Sequence, residues 1–311
     1  MAQKHFLSLA DWSREEIELL FELSAALKAD PASYATALAG QSLALIFQKA
    51  STRTRVSFEV GMFQLGGQAL FLSSNDIQLH RGETIADTAR VLSRFVHGIM
   101  ARVFAHQDIL DLAGYGSVPV INGLSDLLHP CQALADYFTL RERRGELAGL
   151  KLAYVGDGNN VAHELMNGAV KLGMKFSIGC PRGYEPNAQV CKNAVHEAQM
   201  LGSPVPEVTS DPLAAVRGAD VVYTDVWTSM GQEAESARRL AAFQGYQVTP
   251  AMMAAAGSQA VFMHCLPAHR GEEVAAGVID GPQSVVFDEA ENRLHVQKAL
   301  LVTLMGEKND D

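Results

Sequence analysis

Apolar positions along the chain alternate between two spacings, and the alternation lays out strands and helices in turn. Ser13-Arg14-Glu15-Glu16 has capping-box form, and Ile17, Leu20, Phe21, Ser24 and Leu27 follow at helical spacing. This first helix is expected to end before Asp30-Pro31. Residues 43–47 are a continuous apolar run of strand length. Beyond Ser51, Val56, Val60 and Phe63 form one helical stripe, and Phe58, Met62 and Leu65 a neighbouring one. Gly66-Gly67 breaks that helix, and residues 69–72 read as a second strand. A polar loop over 73–82 leads to a helix carrying Ile85, Thr88, Leu92 and Phe95. Further strands are expected at 96–101, with Arg102 at the end, and at 118–121. His129-Pro130-Cys131-Gln132 opens a helix through Leu134, Tyr137, Phe138 and Leu140, which ends in the charged run 141–145.

A second strand–helix series starts at 151–155, passes Gly156-Asp157-Gly158-Asn159-Asn160 into a helix, and adds strands at 175–178, 219–224 and 260–264. An apolar segment over 294–304 reads as a C-terminal helix, followed by a frayed polar tail. Alternation of this kind predicts an α/β protein of two domains, each a mostly parallel sheet with flanking helices. The helix after His129 and the C-terminal helix link them. The boundaries expected are 1–145 for the first domain, 146–290 for the second, and 291–311 for the last helix.

Composition narrows the field. The 311 residues exceed one comfortable hydrophobic core, in keeping with two domains. With 25 basic against 35 acidic residues, the formal charge of −10 argues against nucleic acid as a partner. Cys131, Cys180, Cys191 and Cys265 show no C-x-x-C pairing, which fits a reducing compartment better than a disulfide framework or a zinc ribbon. No stretch reaches transmembrane length and residues 1–6 lack an apolar leader core, so the expected location is the cytoplasm, with no membrane partner.

Candidate chemistry concentrates just after the expected strands, where ligands bind in open α/β sheets. Ser51-Thr52-Arg53-Thr54-Arg55 sets three hydroxyls and two guanidiniums at a helix N-terminus, where unpaired N–H groups and the helix dipole favour an anion. In an acidic chain this is a local exception, suited to one small anionic ligand. Arg102 ends a strand, and His129 and Gln132 share a face at a helix start, so they suit a carbonyl oxygen and an amide; an ion-paired strand end and a helix-capping histidine are the plainer alternatives. Asp225, four residues before Ser229, suits an ammonium group, and Cys265 places a thiol at another strand end. His264 is expected on the opposite face of that strand from Cys265, so no papain-like pair is read there. The loop 156–160 lacks the third glycine of G-x-G-x-x-G, which Val161 replaces, and it suits a zwitterionic small molecule better than a dinucleotide.

Together Ser51–Arg55, Arg102, His129-Pro130-Cys131-Gln132, the D-x-W-x-S-M-G run 225–231 and His264-Cys265-Leu266-Pro267 resemble the aspartate/ornithine carbamoyltransferase family over essentially the whole chain. The last two motifs are those of its ornithine-using branch. The resemblance implies transfer of a carbamoyl group from carbamoyl phosphate to L-ornithine, with no cofactor and no metal. It implies that the first domain binds carbamoyl phosphate: Ser51, Thr52, Arg53 and Thr54 with Arg102 on the phosphate, and Thr54, Arg102 and His129 on the carbonyl. Gln132 would take the amide and Arg293 would close from the C-terminal helix, which would return to the first domain. Gln78 would reach a neighbouring subunit's site in a homotrimer. In the second domain Asn160, Asp225, Ser229 and the Met230 backbone would hold ornithine, with Cys265 and Leu266 near the reacting amine. Three alternatives stay open at this point: another acceptor such as putrescine or an N-acylated ornithine, a nicotinamide-dependent dehydrogenase built on loop 156–160, and a relative that binds without catalysis.

Overall fold

The computed structural model describes residues 4–73, 82–228 and 233–306. The chain divides into two compact units, Met1–Phe138 with Glu291–Asp311, and Thr139–Ala290. The first contains α1 (Arg14–Ala29), β1 (Ser42–Phe47), α2 (Thr52–Gln64), β2 (Gln68–Ser73), α3 (Ile85–Leu92), β3 (Gly98–Arg102), α4 (His106–Tyr115), β4 (Val120–Leu124) and the start of α5 (Pro130–Arg144). The second contains the end of α5, β5 (Lys151–Val155), α6 (Asn160–Lys171), β6 (Lys175–Gly179), α7 (Ala188–Leu201), β7 (Glu207–Thr209), α8 (Pro212–Val216), β8 (Val221–Tyr223), α9 (Ser236–Ala242), α10 (Pro250–Ala256), β9 (Val261–Met263) and α11 (Ala276–Ile279). The last helix, α12 (Val286–Met305), starts in the second unit and finishes in the first.

Local chemistry explains the elements that were expected. Ser13 and Glu16 exchange the two bonds of a capping box, and α1 buries Ile17, Leu20, Phe21, Ser24 and Leu27. β1 is buried along nearly its whole length, as a parallel strand covered on both faces must be. The two stripes of α2 separate: Phe58, Met62 and Leu65 are buried, whereas Val56 and Phe63 stay exposed.

Among the described residues every strand pairing is parallel, in the orders β2-β1-β3-β4 and β7-β6-β5-β8-β9. Each sheet therefore has one point where the winding reverses, between β1 and β3 in the first and between β5 and β8 in the second. Ligands bind beyond the strand ends at such points, because the connections diverge there and leave a crevice. In the first unit Ala44, Ile46, Ile99 and Ala101 of the sheet pack on Ala89 of α3 and Ile109 and Leu112 of α4. In the second, Val155, Val222 and Phe262 pack with Val216, Met252, Met253 and Val278.

Among the elements that depart from expectation, β4, α4 and β9 differ most in what they change around the candidate residues. β4 begins at Val120 and runs through Asn122 and Gly123, later than the apolar residues suggest. Its pairing with β3 shifts at Ala101/Arg102, and Phe6 bonds the strand's other edge through Val120 O and Asn122 N. α4 carries only two buried residues and its N-cap Ala105 offers no side-chain bond, so neither period nor cap announced it. β9 stops at Met263, one residue short of His264.

Candidate active site

In the first unit cationic side chains gather around His129 near the strand ends. Ser51 caps α2, its Oγ accepting from Thr54 N at 3.2 Å. Arg53 is half-buried, and Thr54 is buried with its Oγ1 accepting from Arg293 Nη2 at 3.1 Å. Thr52 is exposed at the helix start. Arg55 faces elsewhere: it pairs with Glu59 at 2.9 Å and lies 3.6 Å over the Phe71 ring. Arg102, the last residue of β3, is buried and lies opposite Phe47 in the register. Both flank the winding reversal of the first sheet.

α5 and α12 complete this set. Arg293 is buried and donates to Gln132 Oε1 at 2.5 Å, while Gln132 Nε2 donates to Asp136 at 2.8 Å. With its amide oxygen turned toward Arg293, Gln297 accepts from Nη2 and Nε at 3.0 and 3.1 Å. One guanidinium thereby fixes side chains from three helices. His129 is buried just before α5, and its Nδ1 bonds to none of the described residues. Burial first, and then the charges of Arg293, Arg102 and Arg53, hold its pKa well below 6.5. The ring is therefore neutral at physiological pH, able to donate one hydrogen bond without carrying a fourth positive charge.

Sequence reasoning missed one cation here. Lys49, two residues before Ser51, has its pKa lowered by burial and by Arg102, and its Nζ lies 4.7 Å over the Phe104 ring. Its position in the loop leaving β1 was the available signal.

In the second unit the corresponding strand ends carry an acid and a thiol. Asp225, just past β8, is buried. It accepts from Asn159 Nδ2 at 2.8 Å, from Val226 N at 2.8 Å and from Cys265 Sγ at 3.0 Å. Asn159 also caps α6, its Oδ1 taking the N–H groups of Val161 and Ala162. Asn160 is the half-buried first residue of that helix. Because Asn159 already occupies the helix N-terminus, the amides a dinucleotide pyrophosphate would need are taken. Gly158 is a packing glycine: a Cβ there would lie 2.2 Å from Pro186 N. The loop 156–160 thus argues against the dehydrogenase alternative.

The placement of His264 corrects an expectation. Because β9 ends at Met263, strand alternation no longer applies, and ligand atoms of His264, Cys265 and Asp225 lie within 4.8 Å of one another. A thiol–imidazole nucleophile still does not result. His264 Nδ1 accepts from Leu266 N at 2.8 Å and Nε2 faces the buried Glu273 at 3.2 Å, so both nitrogens are engaged. The Cys265 hydrogen goes to Asp225 instead. Leu266 itself sits at φ 56°, a left-handed backbone, half-buried against the second core. The same three residues, and His269 with Glu272 and Glu273, are close enough together to hold a metal ion, but in the first group Cys265 bonds Asp225 and both His264 nitrogens are engaged by Leu266 and Glu273.

Arg239 of α9 was also missed. It donates to Asp157 Oδ2 at 2.9 Å and to Trp227 O at 2.9 Å, so it ties loop 156–160 to the segment after β8. Burial pushes the Asp157 pKa up to about 6, against the pull of Arg239. Gln78, Ser229 and Met230 lie outside the described residues.

Residues 4–142 match the model of the aspartate/ornithine carbamoyltransferase carbamoyl-P binding domain, and residues 148–304 that of the Asp/Orn binding domain. The chain belongs to the aspartate/ornithine carbamoyltransferase family. Within that carbamoyltransferase family it is 58% identical to the ornithine carbamoyltransferase of Symbiobacterium thermophilum, over 97% of this chain and 98% of the relative. It is 55% identical to the anabolic ornithine carbamoyltransferase of Pyrococcus furiosus over 98% of each chain. A solved structure of the ornithine carbamoyltransferase from Pyrococcus furiosus covers 99% of both chains with a TM-score of 0.94 and 55% identity. Ornithine transcarbamoylase from Giardia lamblia, at 35% identity, still superposes over all of both chains with a TM-score of 0.90.

Proposed function

We infer that this chain transfers the carbamoyl group of carbamoyl phosphate to the δ-amine of L-ornithine, giving L-citrulline and phosphate. The observation that carries the reading is the buried His129 facing the charges of Arg293, Arg102 and Arg53 in a unit matching a carbamoyl-phosphate-binding domain. Three guanidiniums suit a phosphate dianion, and a neutral imidazole donor suits the carbonyl beside it. The α2 N-terminus adds Ser51, Thr52, Arg53 and Thr54 to the phosphate, and Arg102 reaches both phosphate and carbonyl. Gln132, with Arg293, takes the amide end. On the ornithine side Asn160, Asp225, Ser229 and the Met230 backbone hold the amino-acid head. Cys265 and Leu266 lie beside the reacting amine.

The reaction proceeds by direct attack. The δ-amine, having lost its proton, adds to the carbamoyl carbon, the carbonyl oxygen becomes an oxyanion, and the C–O bond to phosphate breaks as phosphate leaves. Fixed cations and hydrogen-bond donors stabilise charge already present on the phosphate and developing on the oxygen. Alignment of the two substrates supplies much of the rest. No step requires a cofactor or a metal.

A homotrimer is part of the same reading, with Gln78 serving a neighbouring subunit's site. Its support is an exposed apolar set in the first unit, Val56 and Phe63 of α2 with Val91 and Phe95 near α3, Phe63 and Phe95 being 79% and 73% exposed. A cytoplasmic role in arginine biosynthesis is the setting proposed; among the described residues no helix is long and apolar enough to cross a membrane. The test is citrulline formation from carbamoyl phosphate, with ornithine run beside aspartate, putrescine and N-acetylornithine. Ornithine should be the preferred acceptor. Preference for any other amine, or no carbamoylated product, would overturn the reading.

A further inference from the structure

α4 and the turn that precedes α5 are tied to one another through a single histidine. The N–H of His106, the first residue of α4, donates to Asp126 Oδ1 at 2.9 Å, which satisfies a helix N-terminus that its own cap leaves open. The ring of the same residue meets Ser125 Oγ through Nδ1, also at 2.9 Å. Two consecutive residues of the turn are thus gripped by the backbone and the side chain of one residue.

Ser125 passes that grip along the chain. Its Oγ accepts from Leu128 N at 3.1 Å, and its own N–H donates to Leu128 O at 2.9 Å. Leu128 is bonded directly to His129, whose carbonyl accepts from Gln132 N and Ala133 N in the first turn of α5. The chain from His106 to the site is therefore short and rigid: imidazole, hydroxyl, Leu128 amide, His129. It sets the start of α5, with His129 just before the helix and Gln132 in its first turn.

We propose that His106 is a positioning residue for His129, holding through Ser125 the turn that delivers the reactive imidazole and Gln132 to carbamoyl phosphate. A Ser/His pair invites a hydrolytic reading, but Ser125 is fully buried and its oxygen already takes an amide, so no substrate meets it. Asp126 and Asp11 are the charged groups facing His106, and burial outweighs them in keeping its pKa lowered. Whichever of the ring Nδ1 and the Ser125 hydroxyl donates at that contact, the Ser125 oxygen keeps a lone pair for the Leu128 amide.

The proposal rests on the carbamoyl-transfer reading and is tested within it. Steady-state kinetics of the full chain are compared for wild type, His106→Ala, Ser125→Ala and the double variant, with His106→Asn as the conservative replacement. His106→Ala should lower kcat/KM for carbamoyl phosphate about five- to tenfold, the scale of one lost hydrogen bond acting through alignment. KM for ornithine should stay within about twofold, since that substrate's groups lie elsewhere. His106→Asn should recover part of the loss, and the double variant should be no worse than Ser125→Ala. Full activity in His106→Ala, losses that add across the cycle, or an equal change in ornithine KM would each overturn the proposal. Where His106→Ala does not fold, His106→Asn against wild type reads the same split. A wild-type chain that makes no citrulline refutes the reaction itself; a working enzyme indifferent to His106 refutes this proposal alone.

Discussion

A histidine held neutral among three arginines behaves differently from one that titrates near pH 6.5. Burial and the positive neighbours make the protonated form of His129 the costly one, so its proton is already gone below the usual range. Across neutral and mildly alkaline pH the ring does not change state. The group that does is ornithine's δ-amine, whose pKa of roughly 10 leaves it mostly protonated at neutrality. The rate should therefore rise from pH 7 toward about pH 9, and a flat or falling profile would contradict the direct-attack mechanism. Arg102→Ala removes a buried cation from the same group of charges. It should cost about 3 kcal/mol or more of transition-state stabilisation, read as kcat/KM, and near-normal turnover would take Arg102 out of the site. Cys265→Ser should weaken ornithine handling without abolishing turnover, since the thiol hydrogen-bonds Asp225 rather than attacking. Mass spectrometry under turnover should find no carbamoyl adduct on Cys265.

At the level of elements, the Arg239–Asp157 pair joins α9 to the loop after β5. The folded protein keeps a proton on Asp157 up to about pH 6 instead of 3.8, so this group's contribution to stability is greatest in acid and is lost as pH rises through about 6. The charged pair itself exists only above that pH. Half-saturating ornithine should accordingly increase as pH falls through about 6, and Asp157→Asn should remove that step; an unchanged step in the variant would assign it to another group. The pair also shows where sequence reading stopped. β1, the cap at Ser51 and α2 were legible because the apolar run, the cap and the helical stripe are contiguous. The same contiguity placed Arg102, Asp225 and Cys265 at strand ends and His129 at a helix start. Arg239 was not legible, because its partner Asp157 is 82 residues away and each looks like an ordinary surface charge. Asn159, the residue that holds Asp225, was hidden beside Asn160 for a similar reason: only the structure shows which amide turns inward. His264 was misread because a strand one residue shorter than expected changes which way every later side chain points.

For the molecule as a whole, the exposed apolar residues of the first unit call for a partner surface. If the proposed trimer forms through these residues, Phe63→Glu and Phe95→Glu should shift it toward monomer in analytical ultracentrifugation, with activity falling in step where Gln78 serves a neighbour. A wild-type chain that sediments as a monomer would refute the assembly. The two winding reversals carry a separate consequence, one about descent. Each sheet is wound from its own stretch of chain, so the carbamoyl-phosphate-binding domain and the acceptor-binding domain are encoded in separate blocks. Mutation can rework the residues after β8 and β9 while Ser51, Arg53 and His129 stand untouched. A lineage built this way can change the molecule it modifies without relearning how to activate the group it transfers.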